Sequence, residues 1–370
     1  MFVGVTGEFL PAALLPQMSR DLGVSESSVG VLVTAYSFLV ALTSIPFALA
    51  TWRRSRRLTL GLALSGYALS NAVLAFASSY IVAIGARVLG GLSHALFFAL
   101  VAGYLARIVA PDRVGRAIAT VWVGTSMAFV AGIPLCAAAG SAWGWRVPFA
   151  ILAVLAAGAA ITAVRRLPDP APPPDPAPIT GSLPGTAAAR GLALVALATV
   201  TALLGQFTLY AYMAPFVKQL GVVETQIGLV LFAFGVTGAL GTAAAAALVD
   251  RRPRTGLLVM LSGSAVSLAA LGLGTSVNAG TVLAFAVWGT AFGALSTFFN
   301  TAAVRAAPVT PDLAAATATT AFNVGIGGGA LLGAILLPRG DVLVLPLAAA
   351  LLVASSAVMV AVARRTAFPD

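Results

Sequence analysis

The 370 residues are 60% hydrophobic and only 9% charged, with a mean hydropathy of +1.01, against about 25% charged and 45–50% apolar in an average soluble domain. Such a chain cannot cover a water-facing surface with polar groups, which excludes a soluble globular enzyme. The 21 Lys+Arg against 11 Asp+Glu leave a formal charge of +10; in a soluble protein that balance would suggest nucleic acid, so the positions of the arginines decide. A single cysteine, Cys136, and a single histidine, His94, exclude an internal disulfide and a conventional zinc site.

A hydrocarbon core about 30 Å thick needs roughly 20 apolar residues per helix. Taken in chain order, twelve such stretches stand between charge clusters and turn signals. The first six are Phe2–Gln17, Val29–Ala50, Leu58–Ala77, Ile81–Ile108, Arg116–Ala139 and Arg146–Val164. The second six are Gly191–Val217, Ile227–Val249, Thr255–Thr275, Thr281–Ala306, Ala314–Leu337 and Val342–Ala363. The runs are too long for barrel strands and do not alternate. The first stretch has no basic leader and carries Glu8, so it reads as a spanning helix and not as a cleaved signal. It is short, which fits either a genuinely short helix or a start about one to two turns further upstream.

Connections after even-numbered spans, together with the tail, carry sixteen of the 21 cations, including Arg53, Arg54 and Arg251; those after odd-numbered spans carry four; Arg87 lies inside a span. By the positive-inside rule the expectation is a multi-pass protein of a bacterial cytoplasmic membrane with both termini cytoplasmic. The charge is then a topology signal in short loops, and no nucleic-acid partner is expected.

The chain also repeats itself. A shift of 198 positions brings Gly7-Glu8-Phe9 onto Gly205-Gln206-Phe207, Leu22-Gly23-Val24 onto Leu220-Gly221-Val222, and Arg53, Arg54 and Arg56 onto Arg251, Arg252 and Arg254, without a gap. Six spans per repeat is an even number, so both halves enter the membrane in the same direction. The expected fold class is all-α, with twelve transmembrane helices in two parallel six-helix repeats, 1–164 and 191–370. A Pro-rich cytoplasmic linker, 165–190, joins them. Parallel repeats of this kind place a substrate site between the halves near the midplane.

Several motifs resemble one family. Gly7-Glu8-Phe9, Leu14-Leu15-Pro16 and Asp21-Leu22-Gly23-Val24-Ser25 are similar to the start of twelve-span drug:proton antiporters of the major facilitator superfamily, in the branch of arabinose-efflux-like permeases and chloramphenicol exporters. Ala86-Arg87-Val88-Leu89 resembles that superfamily's motif with a buried arginine. Gly132-Ile133-Pro134-Leu135 resembles its antiporter motif. The resemblance implies gating or motif roles for Gly132, Pro134, Arg53, Arg54, Asp250 and Arg251. No nucleotide site is visible in the sequence, so a proton gradient is the expected energy source, with no cofactor and no metal. There are departures: Trp52 stands before Arg53 where the family's loop carries Gly and Asp, and Cys136 stands where the antiporter motif has glycine.

Ionisable side chains inside spans are costly and mark functional sites. Glu8, Arg87 and His94 qualify, and seven residues, about two turns, separate the last two. A buried carboxyl that binds and releases a proton as its hydration alternates makes Glu8 the proton-coupling candidate. Arg87 is either a fixed cation, tuning Glu8 or contacting substrate, or a capper of backbone carbonyls, and His94 is either a relay or substrate ligand, or a satisfied interior residue. Candidate cavity residues are Gln206, Tyr210, Tyr212, Asn300 and Asn323, with Phe97, Phe98 and Trp122 as stacking surfaces. The expected activity is proton-coupled efflux of a small amphipathic compound, a drug or antibiotic, by a monomer in the lipid bilayer. Sugar or metabolite export, and a non-transporting receptor, are the alternatives.

Overall fold

The computed structural model describes residues 1–51, 54–110, 113–169, 186–306, 311–339, 342–365 and 367–368. The first set of helices is α1 (Phe2–Ala13), α2 (Leu15–Leu22), α3 (Glu26–Ala50), α4 (Arg56–Ala75), α5 (Tyr80–Ile108), α6 (Val114–Met127), α7 (Ile133–Trp143) and α8 (Arg146–Arg166). The second is α9 (Thr186–Tyr210), α10 (Met213–Gln219), α11 (Ile227–Leu248), α12 (Pro253–Gly272), α13 (Ala279–Ala306), α14 (Pro311–Leu336) and α15 (Val344–Val362). Among the described residues, eleven helical segments are long and apolar enough to cross a membrane; α1 is apolar but shorter. Leu42, Leu62, Phe76, Leu240, Val266 and Leu351 lie exposed on the bundle's flanks, as a hydrocarbon surrounding requires.

Three expected spans are broken, and proline explains where. The stretch Phe2–Gln17 splits at Leu14, with Pro16 opening α2. The stretch Gly191–Val217 splits at Ala211 and Tyr212, with Pro215 near the start of α10. In Arg116–Ala139 a π turn, Ala128–Gly132, separates α6 from α7, and the Ile133 N–H reaches back to the Ala128 carbonyl. Pro134 follows at the start of α7. Proline has no N–H to offer the preceding turn, so a helix breaks or re-registers there.

The 198-residue shift recurs in the element bounds. α2 starts at Leu15 and α10 at Met213; α8 starts at Arg146 and α15 at Val344. α3 at Glu26 corresponds to the helical start at Glu224, and α4 and α5 to α12 and α13 within two residues. Gly23 and Gly221, also equivalent, both have positive φ (64° and 96°), the left-handed turn that only glycine adopts without strain. These turns lie at one end of the bundle, called here the glycine-turn end; the arginine-rich loops lie at the other.

Across the two sets, α3 packs on α14 and α7 on α11. Thr34 on α3 donates to the Gly327 carbonyl of α14 at 3.0 Å. Part of the linker is held in place. Asp169 accepts from the Ser55 hydroxyl at 2.5 Å and from the Arg57 N–H at 3.3 Å, and Tyr104 donates to the Pro168 carbonyl at 2.7 Å. Residues 170–185 of the expected linker, and Arg53 with its expected gating role, lie outside the described residues.

Candidate functional site

Glu8 lies midway along α1, 4% exposed. Its Oε2 is 3.8 Å from Nε2 of His94 on α5. That is beyond hydrogen-bond distance but close enough for a charge to be felt. Its Oε1 is buried and makes no hydrogen bond. His94 is 5% exposed. Its Nδ1 is 2.8 Å from the Tyr36 hydroxyl on α3, its ring stacks on Phe98 at 4.3 Å, and the edge of Tyr67 closes the other side. Two helical elements far apart in sequence thus bring the acid and the imidazole face to face. A buried carboxyl with one oxygen unengaged, beside a ring held from behind by a tyrosine, can accept and return a proton without breaking a strong bond.

Arg87, 1% exposed, belongs to the same cluster but its hydrogen bonds go elsewhere. Its Nε donates to the Leu32 carbonyl at 3.1 Å, and its two terminal nitrogens donate to the backbone carbonyls of Gly7 and Glu8, each at 2.7 Å. The guanidinium also lies 4.1 Å over the Tyr36 ring. The carbonyl-capping geometry, one of two roles read from sequence, is the one its hydrogen bonds display.

At the equivalent place in the second set, the Gln206 amide is fully engaged. It donates to the Ser264 hydroxyl at 2.8 Å and accepts from the Trp288 indole N–H. Beside it, rings from both sets meet. Phe9 stacks on its counterpart Phe207 at 5.3 Å and contacts Phe129 at 5.3 Å, and Tyr210 lies on Phe292 at 5.2 Å. Tyr210 is therefore part of an aromatic seam between the two sets. Phe97 packs against Tyr67 and Phe98, and Phe98 contacts the half-exposed Trp122 at 6.0 Å.

The remaining predicted residues are scattered. Tyr212 is fully buried at the glycine-turn end and donates to the Ala330 carbonyl at 2.9 Å. Its hydroxyl fills the space above Gly30, where an added Cβ would fall 1.8 Å from that oxygen. Asn300 and Asn323 donate to carbonyls of their own helices, those of Ser296 and Thr319. Gly132 ends the π turn, and a Cβ there would come 2.3 Å from the Thr6 hydroxyl; Pro134 starts the next helix. Asp250, largely exposed, lies 3.5 Å from Arg305. Arg54 and Arg251 are exposed at the arginine-rich end, away from Glu8. Sequence reasoning missed Tyr36, Tyr67, Ser264 and Trp288, for which hydroxyl and indole groups inside apolar spans were a signal. It also missed Phe9 and Phe207, although both lie in the repeated triplet.

The glycine-turn end carries charged contacts between the sets. Arg20 donates to Glu224 at 2.9 Å, and Lys218 lies 3.5 Å from the same carboxylate. Partial burial pushes the Glu224 carboxyl up, but Arg20 and Lys218 outweigh it and hold it below the usual glutamate range. Asp21 is held low by Arg146, then by the Trp145 indole. Arg20, Asp21, Trp145 and Glu224 line a solvent-open pocket of about 440 Å³ with Gln17 and Ser141.

Comparison with known proteins bears on this arrangement. The sequence model described as Major Facilitator Superfamily matches residues 1–334. A chloramphenicol efflux pump of Mycobacterium tuberculosis (strain H37Rv) is 33% identical over 361 residues, covering 95% of this chain and 87% of that protein. A probable sugar efflux transporter of Mannheimia succiniciproducens is 32% identical over 334 residues, covering 90% and 83%. Among solved structures, an inward-facing, occupied bacterial homolog of the human lysosomal transporter Spinster superposes with a TM-score of 0.76 at 15% identity, covering 99% of this chain and 94% of that one. A mutant of the peptide transporter POT superposes with 0.78 at 14% identity, covering 99% and 93%. At those identities the structural likeness concerns the fold alone.

Proposed function

The chain belongs to the Major Facilitator Superfamily and is a multi-pass membrane transporter, and from that premise we propose a proton-driven exporter of a small amphipathic, aromatic compound. The observation that carries this reading is Glu8: a buried carboxyl with one unengaged oxygen, 3.8 Å from His94, beside the seam where Phe9 and Phe207 meet. Protonation of Glu8 and occupation of the seam by substrate compete, which couples the two fluxes. The relatives named as efflux pumps support export. The ring-rich seam favours an aromatic drug over a sugar, because a polyhydroxylated ligand needs many hydrogen-bonding side chains and Tyr210 offers a single hydroxyl here.

The transport cycle proposed is alternating access of two parallel six-helix repeats, twelve spans in all, in a bacterial cytoplasmic membrane with both termini inside. Residues 1–164 and 191–370 are the halves. In this reading the glycine-turn end is the outer one. The Arg20–Glu224 pair, Tyr212 over Gly30, and Thr34 on Gly327 support a closed outer gate. Only a ligand or proton with different affinity for the two states shifts their populations.

Purified protein in proteoliposomes, given a pH gradient, is expected to move radiolabelled chloramphenicol against its concentration gradient. Glu8→Gln is expected to cut that uphill transport at least tenfold while leaving gradient-free counterflow within about threefold. Unchanged uphill transport in Glu8→Gln would exclude the carboxyl as proton site. Uphill movement of a labelled sugar with none of chloramphenicol would move the assignment to the sugar exporters.

A further inference from the structure

Pro11 sits inside α1, at the eleventh residue of the chain. In a regular helix the N–H of residue 11 would satisfy the carbonyl of residue 7. Proline has no N–H, so the Gly7 carbonyl loses its intrahelical partner at a buried position. A terminal nitrogen of Arg87 lies 2.7 Å from that same oxygen, and the other lies 2.7 Å from the next carbonyl along, Glu8. The arginine thus occupies the gap the proline makes, from a helix 76 residues downstream.

The second set supplies an internal control. The counterpart of Pro11 at the 198-residue shift is Leu209, which has an N–H, and the counterpart of Arg87 is Phe285, which has no donor. Proline and arginine occur together in one set and are absent together from the other. Some neighbours are kept, with Gly7 opposite Gly205, Phe9 opposite Phe207 and Ala86 opposite Ala284.

We propose that Arg87 is a positioning residue that replaces the hydrogen bond Pro11 removes, and that by clamping α1 to α5 it holds Glu8 at His94. The role deepens the proton-coupling reading of Glu8 and rests on it for its transport consequence, but not for the pairing itself. Glu8 is the residue whose own carbonyl Arg87 grips, so loosening the clamp moves the carboxyl directly. The short clamp also leaves the Glu8 side chain free of a hydrogen bond from Arg87, consistent with its unengaged Oε1.

The test is a double-mutant cycle on the full chain, with Pro11→Leu and Arg87→Phe as the single variants; these are the residues of the second set. Two readouts are taken. The first is the melting temperature of purified protein in detergent, which needs no substrate. Arg87→Phe is expected to melt several degrees lower, and adding Pro11→Leu, which restores an N–H at position 11, is expected to recover at least half of the loss. The second is chloramphenicol movement in proteoliposomes. Arg87→Phe is expected to lose uphill transport at least tenfold while counterflow stays within about threefold, and the double variant is expected to return to within threefold of the parent.

Additive melting losses would overturn the pairing, whatever the substrate proves to be. A double variant that recovers melting but stays tenfold deficient in uphill transport would overturn the positioning of Glu8, since the arginine's charge would then be the part required. Arg87→Gln, which keeps donors and removes charge, gives the same decision where Arg87→Phe yields no folded protein. Recovered uphill transport in Pro11→Leu/Arg87→Gln supports the clamp, and continued loss counts against it. Failure of the coupling reading is separate: it appears as uphill transport that survives Glu8→Gln in the parent.

Discussion

Glu8 and Gln206 stand at the same place in the two sets of helices, yet their surroundings are opposite in kind. The Gln206 amide is spent in both directions, on Ser264 and Trp288. The Glu8 carboxyl faces His94 across 3.8 Å with one oxygen unengaged, and at the His94 position the second set has Phe292. One framework thus carries a closed neutral network on one side and an open ionisable one on the other. A satisfied buried network rigidifies; a partly satisfied one is high in energy and ready to exchange partners. In the function proposed above, the second set is then the fixed wall and the first set the part that responds to protons.

The comparison breaks most severely at Gln206. Gln206→Leu leaves the Trp288 N–H and the Ser264 hydroxyl buried without their partner, at about 1–3 kcal/mol for each unsatisfied group. A fall of several degrees in melting temperature, read by thermal unfolding in detergent, is expected. Loss of less than about one degree would mean that the second set is not the rigid wall. Glu8→Gln, by contrast, gives its carboxyl a neutral replacement and is expected to alter coupling far more than stability.

A smaller effect is expected at the gate. Gly30→Ala places a methyl where the Tyr212 hydroxyl now sits, 1.8 Å away, so the tyrosine must leave its notch and its bond to Ala330. In the gating proposed above, the glycine-turn end should then loosen. A single cysteine introduced at Ser141, in a Cys136→Ser background, is expected to react several-fold faster with a membrane-impermeant maleimide when Gly30→Ala is added. An unchanged rate would show that Tyr212 does not hold this end shut.

The smallest effect concerns Asp21 and Arg146, a pair the second set lacks because its counterparts are Gln219 and Val344. Arg146, then Trp145, hold the Asp21 carboxyl below its ordinary value. Its contribution is therefore present above the unfolded aspartate range, near pH 3.9, and is lost as pH falls through the lower folded value. The pair is nearly half exposed, so about 0.2–1 kcal/mol before salt screening is the expected scale. Asp21→Asn should lower the melting temperature slightly at pH 7, and the difference from the parent should vanish once pH has fallen through the lowered folded value. A difference that persisted there would mean that packing, not charge, supports the turn.

Much of this architecture is legible in the chain. The apolar runs pointed to the eleven membrane-length helices among the described residues, because hydrocarbon demands a continuous apolar helix and charges at its ends. The repeat paired Gly23 with Gly221, and the structure gives both a positive φ, which leaves little choice of residue. The breaks at Leu14, Tyr212 and the π turn could be suspected from Pro16, Pro215 and Pro134, but a proline says only where a hydrogen bond is missing. It does not say what takes its place.

Tertiary structure decided the rest. Tyr210 and Tyr212 are two residues apart, yet one joins the aromatic seam and the other bonds to the Ala330 carbonyl at the glycine-turn end, because the helix break between them turns the chain. Asn300 and Asn323, polar enough to line a cavity, bond to carbonyls of their own helices. The sequence alone determined a membrane-embedded helical chain with an internal sequence repeat and three ionisable groups inside its apolar stretches, because composition and period are one-dimensional properties. Which of those groups engage one another depended on helices 80 residues apart packing side by side: Arg87 came to the Gly7 carbonyl bared by Pro11 and to its neighbour at Glu8, and His94 came to Glu8.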